Sequence, residues 1–309
     1  MTQASGSASQ ILIVKEVGFG VVPPTPQFSL LSQASYGESL NSTSEEIISN
    51  AIDKFRSVKS TRNGLKSSDG SVPFEFSTDG SDLILEGLAG SKTGTGTSLD
   101  PFIYKRGNSV PSFSVEKGFT DINEYFLLKG MKVNSLELNC EPGQILSGSV
   151  SFLGKGDPTV SNTSADTTPT STVHVPFTGI DTKVLIDNSE ANVSSFTLNI
   201  TNNLTAQNVL GSAFAKSINA GRGEVTGTIS ILFEDSSVFE DWLNEAESKI
   251  ELEITLGTKI TKFTFNKVKY NGAGLPNIET SDGVIYTLNW RSIYDATSQS
   301  DFVISQIVS

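Results

Sequence analysis

Gly70-Ser71-Val72-Pro73-Phe74-Glu75-Phe76, followed by Asp82-Leu83-Ile84-Leu85-Glu86-Gly87-Leu88, decides how this chain is read, because a variant of it returns later. The second copy is Gly227-Thr228-Ile229-Ser230-Ile231-Leu232-Phe233, followed by Phe239-Glu240-Asp241-Trp242-Leu243. Each copy holds a glycine, an alternating strand, an acidic turn and a short amphipathic helix. The two glycines are 157 positions apart (227 minus 70) in a chain of 309 residues. A unit repeated at that spacing predicts two related modules and not one enzyme fold. Duplicated β modules more often build assemblies than catalyse reactions.

Outward from these stretches the correspondence continues. Tyr125-Phe126-Leu127-Leu128-Lys129 and then Ser149-Val150-Ser151-Phe152 end the first copy. Phe263-Thr264-Phe265-Asn266-Lys267 and then Tyr286-Thr287-Leu288-Asn289-Trp290 end the second. Val72, Phe74 and Phe76 alternate with polar positions, and Pro73 places that strand at an edge or a bulge. Asp79, Ser81 and Asp82 can cap the first helix and Gly90 can end it. The second helix presents Val238, Phe239, Trp242, Leu243 and Ala246 on one face. Glu141-Pro142-Gly143 reads as a hairpin reversal, with proline second and glycine third. Ser44-Glu45-Glu46-Ile47-Ile48 fits either a helix start or an extended arm with one polar side. Lys92 to Leu99 reads as a mobile loop, and Lys155 to Thr172 lacks apolar periodicity. The fold class expected is mainly β: two tandem related β-sandwich or barrel modules, each with a short flanking α-helix. Residues 1–27 form an N-terminal extended arm, 28–155 the first module, 156–175 a flexible linker, 176–296 the second module and 297–309 a C-terminal arm.

Composition narrows the function. The hydrophobic fraction is 37% and the charged fraction 18%, which leaves much Ser, Thr, Asn and Gly for strands and turns. Acids outnumber bases 34 to 22, for a net charge of -12, which argues against a sequence-specific nucleic-acid binder. No apolar run reaches membrane-spanning length. Residues 1–10 are polar and lack the basic and apolar regions of a signal peptide. One cysteine, Cys140, excludes an intramolecular disulfide, and synthesis in a reducing compartment is expected.

Reactive groups are scarce. His174 is the single histidine, and it has no acid motif near it in sequence. Without His or Cys pairs there is no zinc site of the usual type. Gly94-Thr95-Gly96-Thr97 lacks the Lys-Ser/Thr of a phosphate loop. Glu240, Asp241 and Glu245 are the solvated side of a helix, and Glu251 and Glu253 the polar side of a strand. No catalytic, cofactor-binding or metal-ligating residues are assigned, and the chain is expected to be no enzyme.

In combination, several stretches resemble the tail tube (major tail) proteins of long-tailed bacteriophages. These are Ser44-Glu45-Glu46-Ile47, Gly70-Ser71-Val72-Pro73-Phe74-Glu75 and Leu88-Ala89-Gly90, then Gly130-Met131-Lys132-Val133-Asn134-Ser135-Leu136 and Gly148-Ser149-Val150-Ser151-Phe152. Asn202-Asn203-Leu204, Val209-Leu210-Gly211, Gly221-Arg222, Val225-Thr226-Gly227-Thr228 and Phe233-Glu234-Asp235 follow, and Asn289-Trp290-Arg291-Ser292-Ile293-Tyr294-Asp295 resembles the closing strand. The resemblance covers residues 28 to 295. It implies a structural virion protein whose modules join into a barrel around a lumen, in rings that stack into the tube through which DNA passes during ejection. Two modules per chain favour a trimeric ring of pseudo-sixfold symmetry, with a hexameric ring as the alternative. It also implies tape measure and tail-end proteins as partners, no membrane, assembly in the host bacterial cytoplasm, and an acidic lumen that lets DNA slide. Candidate lumen faces are the polar sides of residues 249–256 and 284–291. A secreted or surface β-sandwich adhesin is the competing reading.

Overall fold

The computed structural model describes residues 3–308 apart from 32, 33, 53, 55, 273 and 277–282. The first half runs β1 (Ser9–Lys15), β2 (Ser29–Leu30), β3 (Asn41–Ile48), β4 (Thr61–Glu75), α1 (Asp82–Ala89), β5 (Gly90–Thr93), β6 (Phe102–Arg106), β7 (Phe113–Phe119), β8 (Glu124–Cys140), β9 (Ser147–Gly154) and β10 (Thr159–Ser161). The second half runs β11 (Thr182–Ile186), β12 (Ser189–Glu190), β13 (Val193–Thr201), β14 (Thr205–Gln207), β15 (Ser217–Asn219), β16 (Glu224–Leu232), α2 (Ser237–Leu243), β17 (Ser248–Leu256), β18 (Lys259–Asn271), β19 (Ile285–Ser292) and β20 (Val303–Ile307). The protein is mainly β, as its alternating sequence predicts.

Two long strands, β8 and β18, set the architecture because each runs from one sheet into another. The first part of β8 pairs with β7, and its second part pairs with β9. Likewise β18 pairs first with β17 and then with β19. Their second parts belong to a central antiparallel sheet ordered β3-β4-β9-β8-β13-β16-β19-β18. Their first parts belong to two outer sheets, ordered β2-β1-β7-β8-β10 and β12-β11-β17-β18-β20-β6-β5.

The pairing scheme of the first half repeats in the second, down to single residues. Gly70 lies opposite Phe152, and Gly227 lies opposite Trp290. A bulge in β8 between Leu128 and Met131 faces Val115 and Phe113; a bulge in β18 between Phe265 and Val268 faces Ile250 and Ser248. The Ser71 amide donates to Ser39 Oγ at 2.9 Å, and the Thr228 amide donates to Thr197 Oγ1 at 3.0 Å. On the strand opposite each bulge a buried glutamate recurs, Glu116 directly after Val115 and Glu251 directly after Ile250. This equivalence matches Leu128 with Phe265, one residue away from the pairing of Tyr125 with Phe263 drawn from sequence. Positions 125–128 are all apolar, so their letters cannot fix a register, and a one-residue slip exchanges the two faces.

Local chemistry explains most boundaries. Gly90 ends α1 in the left-handed region at φ 80°. Gly143 adopts φ 72° and the Gln144 amide donates to Glu141 O, closing the reversal between β8 and β9. Ser44 to Ile48 is extended, because it pairs with β4 throughout. Residues 92–93 lie in β5, and Asp100 O accepts bonds from the amides of Thr95, Gly96 and Thr97, so the stretch read as a mobile loop is a folded turn. Residues 9–15, within the segment read as an N-terminal arm, pair with β7 over their whole length and bury Leu12 and Ile13. Residues 159–161, in the segment read as a linker, pair with β8. Residues 303–307, in the segment read as a C-terminal arm, lie between β18 and β6. β10 and β20 occupy the same place in the two pairing schemes, so one-sided polar composition concealed a closing strand in each.

One apolar core lies between the sheets and joins both halves. Phe76 packs 6.0 Å from Phe177 and 5.9 Å from Phe263, ring centre to ring centre. Trp290 is fully buried, 4.9 Å from Phe265 and 5.6 Å from Phe196. The helices differ. In α1, Ile84, Leu85 and Leu88 are buried, whereas α2 buries no residue fully, and Leu243 is 62% exposed.

The buried glutamate of β17 gives a pH test. Burial pushes the Glu251 carboxyl up, but hydrogen bonds from Lys262 and Lys249, at 2.9 and 3.1 Å, outweigh it and hold the carboxyl below its ordinary value. A depressed carboxyl contributes stability above its unfolded pKa and loses it as pH falls through the folded one. Wild type should therefore lose stability relative to Glu251→Gln as pH falls through about 4 and below. Denaturant melts of both proteins across that range check this, and parallel curves would refute it.

Candidate functional site

The central sheet presents its core side to the apolar interior and a polar side outward. Alternation dictates the polar side, since residues two apart share a face. One row across it is Pro73, Ser149, Glu137, Asn199, Thr226, Arg291 and Lys269. A neighbouring row is Glu75, Ser147, Asn139, Thr197, Thr228, Asn289 and Asn271. Hydroxyls and amides bond between strands: Ser135 Oγ with Ser151 Oγ at 2.6 Å, Thr228 Oγ1 to Asn289 Oδ1 at 3.0 Å and Ser230 Oγ with Thr287 Oγ1 at 2.9 Å. A shallow depression of about 370 Å³ over Glu137, Ser149 and Asn199 is part of this face.

Charge on the polar face is nearly balanced. Glu75, Glu137 and Glu224 oppose Lys269 and Arg291, and Arg291 meets Glu224 at 3.3 Å. The chain's acidity concentrates elsewhere, notably in Glu234, Asp235, Glu240, Asp241, Glu245 and Glu247 around α2. The two polar stretches singled out from sequence part company here. Residues 285–291 line this face, whereas 249–256 lie in an outer sheet, where Glu251 is buried. Parity identified a polar side on both strands but not which sheet each joins.

The face ends at two open edges. Among the described residues, β3 pairs only with β4, and residues 269–271 of β18 pair only with β19. The Ser39 amide donates inward to Ser71 O, so by alternation the amides of Leu40 and Ser42 point outward. Local side chains meet them: Glu38 Oε2 accepts from Leu40 at 2.9 Å and Asn41 Oδ1 from Ser42 at 2.8 Å. At the junction of the halves the equivalent amides point across to β8, and Asn202 donates to Asn134 O at 2.7 Å.

A second seam reinforces that internal junction. Arg106 of β6 donates through Nε to both carboxylate oxygens of Asp301, at 2.8 and 2.9 Å, and through Nη1 to Asn202 Oδ1 at 2.8 Å. Its guanidinium stacks over Phe302, 5.1 Å from the ring centre. Arg106→Ala leaves the mostly buried Asp301 carboxylate without its partner, so a loss of about 2–3 kcal/mol in unfolding free energy is expected from denaturant titration. Arg106→Lys, which cannot form the fork, should recover under half of it.

The residues with reactive side chains are not gathered into one site: Cys140 lines a small cavity of about 80 Å³ with Thr182 and Phe196, and His174 is not among its lining residues. His174 Nε2 is 3.2 Å from Glu75 Oε2. Cys140 is buried in β8, and burial pushes its thiol up, so it stays protonated. Among the described residues no group of three or more His, Cys, Asp or Glu is arranged to hold a metal, and no helix is long and apolar enough to cross a membrane. A family model described as phage tail tube protein matches residues 6–292. No curated protein matches the chain.

Proposed function

The chain belongs to the phage tail tube protein family, structural components of the virion that assemble into a tube, and from that premise we propose that three copies close into a ring, that rings stack, and that DNA passes through the lumen during ejection. The observation that carries the proposal is the central sheet. Each half contributes four strands to it, in the same order, which supports counting one chain as two of six modules in a ring. β3 of one copy then meets the edge at residues 269–271 of the next, as β13 meets β8 inside the chain. Closure leaves no open edge on this sheet.

Three copies of eight strands give 24 strands. At about 4.8 Å between strands, tilted about 40°, they enclose a barrel roughly 48 Å across its backbone. Side chains on both walls leave a channel wider than a DNA duplex. The polar face lines it. Hydroxyls and amides there, with few cations to hold phosphate, let the duplex slide. The lumen is thus nearly neutral in charge, not strongly acidic. Residues 9–161 and 176–307 are the two modules in this scheme, with β1 and β11 as equivalent strands and β10 and β20 as the last. The chain itself performs no reaction; assembly takes place in the host cytoplasm, around a tape measure protein and against tail-end proteins.

Helical reconstruction of tubes formed by the purified chain tests this. Three chains per ring, with β3 and β18 hydrogen-bonded between neighbours, is the expected result. Six chains per ring, or a lumen lined by one half only, would overturn it.

A further inference from the structure

Two Asn-Gly pairs occur in the chain, Asn63-Gly64 and Asn271-Gly272. Asparagine before glycine is prone to lose its side-chain amide, because the next backbone nitrogen can reach the side-chain carbonyl carbon and glycine has no Cβ in the way. The attack needs the asparagine to leave the extended conformation, so the surrounding strand pairing decides which pair reacts.

The fold treats the two pairs differently. Asn63 lies inside the ladder of β3 and β4, opposite Glu46, with Arg62 and Thr61 paired beyond it. Gly64 is covered: a Cβ built there would meet Ile47 Cγ1 at 3.0 Å and Glu45 Cβ at 3.2 Å. Asn271 is the last residue of β18 and is exposed, as is Gly272. Its pairing with Asn289 is the last of that ladder. Gly272 adopts φ 63°, and the nearest described atom to a Cβ built there, beyond its chain neighbours, is Asn289 Nδ2 at 3.6 Å. Turning Asn271 out of the strand opens one end of a ladder, whereas turning Asn63 out breaks a ladder from within.

Asn271 also lies where the repeat places a contact. Val133 is opposite Phe152 and Tyr270 is opposite Trp290; one pair on, Ser135 is opposite Ser151 and Asn271 opposite Asn289. Asn271 is therefore the equivalent of Ser135, whose other side pairs with Thr201 of β13. Thr43 is the equivalent of Thr201, because Ser39 and Thr197 play the same part and the offsets agree (43 minus 39, 201 minus 197). In the ring, Asn271 of one copy faces Thr43 of the next.

We infer that Asn271 is a self-modification site whose conversion, in the unassembled chain, disables the closing edge. The Gly272 nitrogen gives up its proton and bonds to Asn271 Cγ, the Cγ–Nδ2 bond breaks, and ammonia leaves with that proton, closing a cyclic succinimide. Water then adds to either carbonyl, the bond from that carbon to the ring nitrogen breaks, and the nitrogen regains a proton. The product is aspartate, or isoaspartate, in which the chain runs through the former side chain. Nothing is oxidised or reduced, and water is the only co-reactant. Either product puts a new carboxylate on the polar face. Isoaspartate also lengthens the backbone, which sets the strand out of register. Closure protects the site, because pairing on both sides holds Asn271 extended. The chemistry stands without the ring; its effect on assembly rests on the ring proposed above.

The full-length chain, kept unassembled by dilution in mildly alkaline buffer, tests this by mass spectrometry after digestion in mildly acidic buffer, which halts the reaction. A gain of about 1 Da should accumulate in the peptide holding residues 271–272 roughly tenfold faster, or more, than in the peptide holding 63–64. An isoaspartate-specific methyltransferase should label the first peptide. No gain at 271, or equal gain in both peptides, would overturn the inference and leave the ring standing. The aged chain is then concentrated to assemble. Modified chains should stay behind, so that the modified peptide is enriched roughly tenfold or more in the unassembled fraction over the tubes. Equal modification in the two fractions would overturn the effect on closure. Fresh chain that forms no tubes would remove the ring and that effect together, a failure that reads apart from the mass gain.

Discussion

Ser42→Pro leaves the chain folded and abolishes ring closure. Proline removes one amide hydrogen and fixes φ near -65°. Within the chain that amide supports nothing essential, since it meets only the neighbouring Asn41 side chain. Its carbonyl side and the Ser39 bond to β4 are untouched. Proline is tolerated at a strand edge for this reason. Within the chain, the equivalent strand β13 turns the same set of amides toward β8, and the proposed ring gives those of β3 a neighbouring strand to meet. A proline there removes a ladder bond and sets a ring against the incoming strand, at every one of the ring's chain junctions. Size-exclusion chromatography and electron microscopy should show a soluble monomer with an unchanged melting temperature, and assembly reduced more than roughly tenfold. Asn41→Pro, whose amide points inward, should instead lower stability. Tubes of normal yield from Ser42→Pro would show that β3 is not the closing edge.

Sequence alone carried the alternation, the turn at Pro142-Gly143, both helices and the repeat anchored on Gly70 and Gly227. These features are local or depend on spacing, and both survive in a string of letters. What it did not carry is where a strand goes. β8 crosses between sheets at Gly130, which adopts φ 67°, and no single-strand pattern announces such a crossing. β10 and β20 are short and polar on one side, so they resembled a linker and an arm. The polar sides of 249–256 and 285–291 look alike in sequence, yet one closes over buried Glu251 and the other forms the continuous face. Leu243, which spacing puts on the apolar face of its helix, is 62% exposed. Pairing with other strands settles where each of these strands goes, and periodicity contains no term for it.

Gly227→Ala should cost about 3 kcal/mol, the high end for an overpacked core. Gly227 has an ordinary backbone conformation, so conformational freedom is not what the position needs. It needs the missing atom. A Cβ there would come 2.2 Å from Thr197 O and 2.4 Å from Trp290 Cζ2. The carbonyl belongs to the neighbouring strand β13, and Trp290 is wedged between Phe196 and Phe265, so neither can move alone. Two obstacles of different kinds make a second variant informative. Trp290→Leu by itself should cost about 2–4 kcal/mol, because it opens a cavity at the centre of the core. In the double variant the ring clash is gone but the carbonyl clash stays. The two changes should then add to less than the sum of their separate costs, yet remain about 1 kcal/mol or more worse than Trp290→Leu alone. Chemical denaturation of the three variants measures all of these terms. A double variant as stable as Trp290→Leu would mean that the indole is the whole obstacle. An unchanged stability for Gly227→Ala would mean that β13 and β16 can separate freely. That second result would also weaken the ring, because the same close approach sets the spacing of strands on which a closed barrel of this sheet depends.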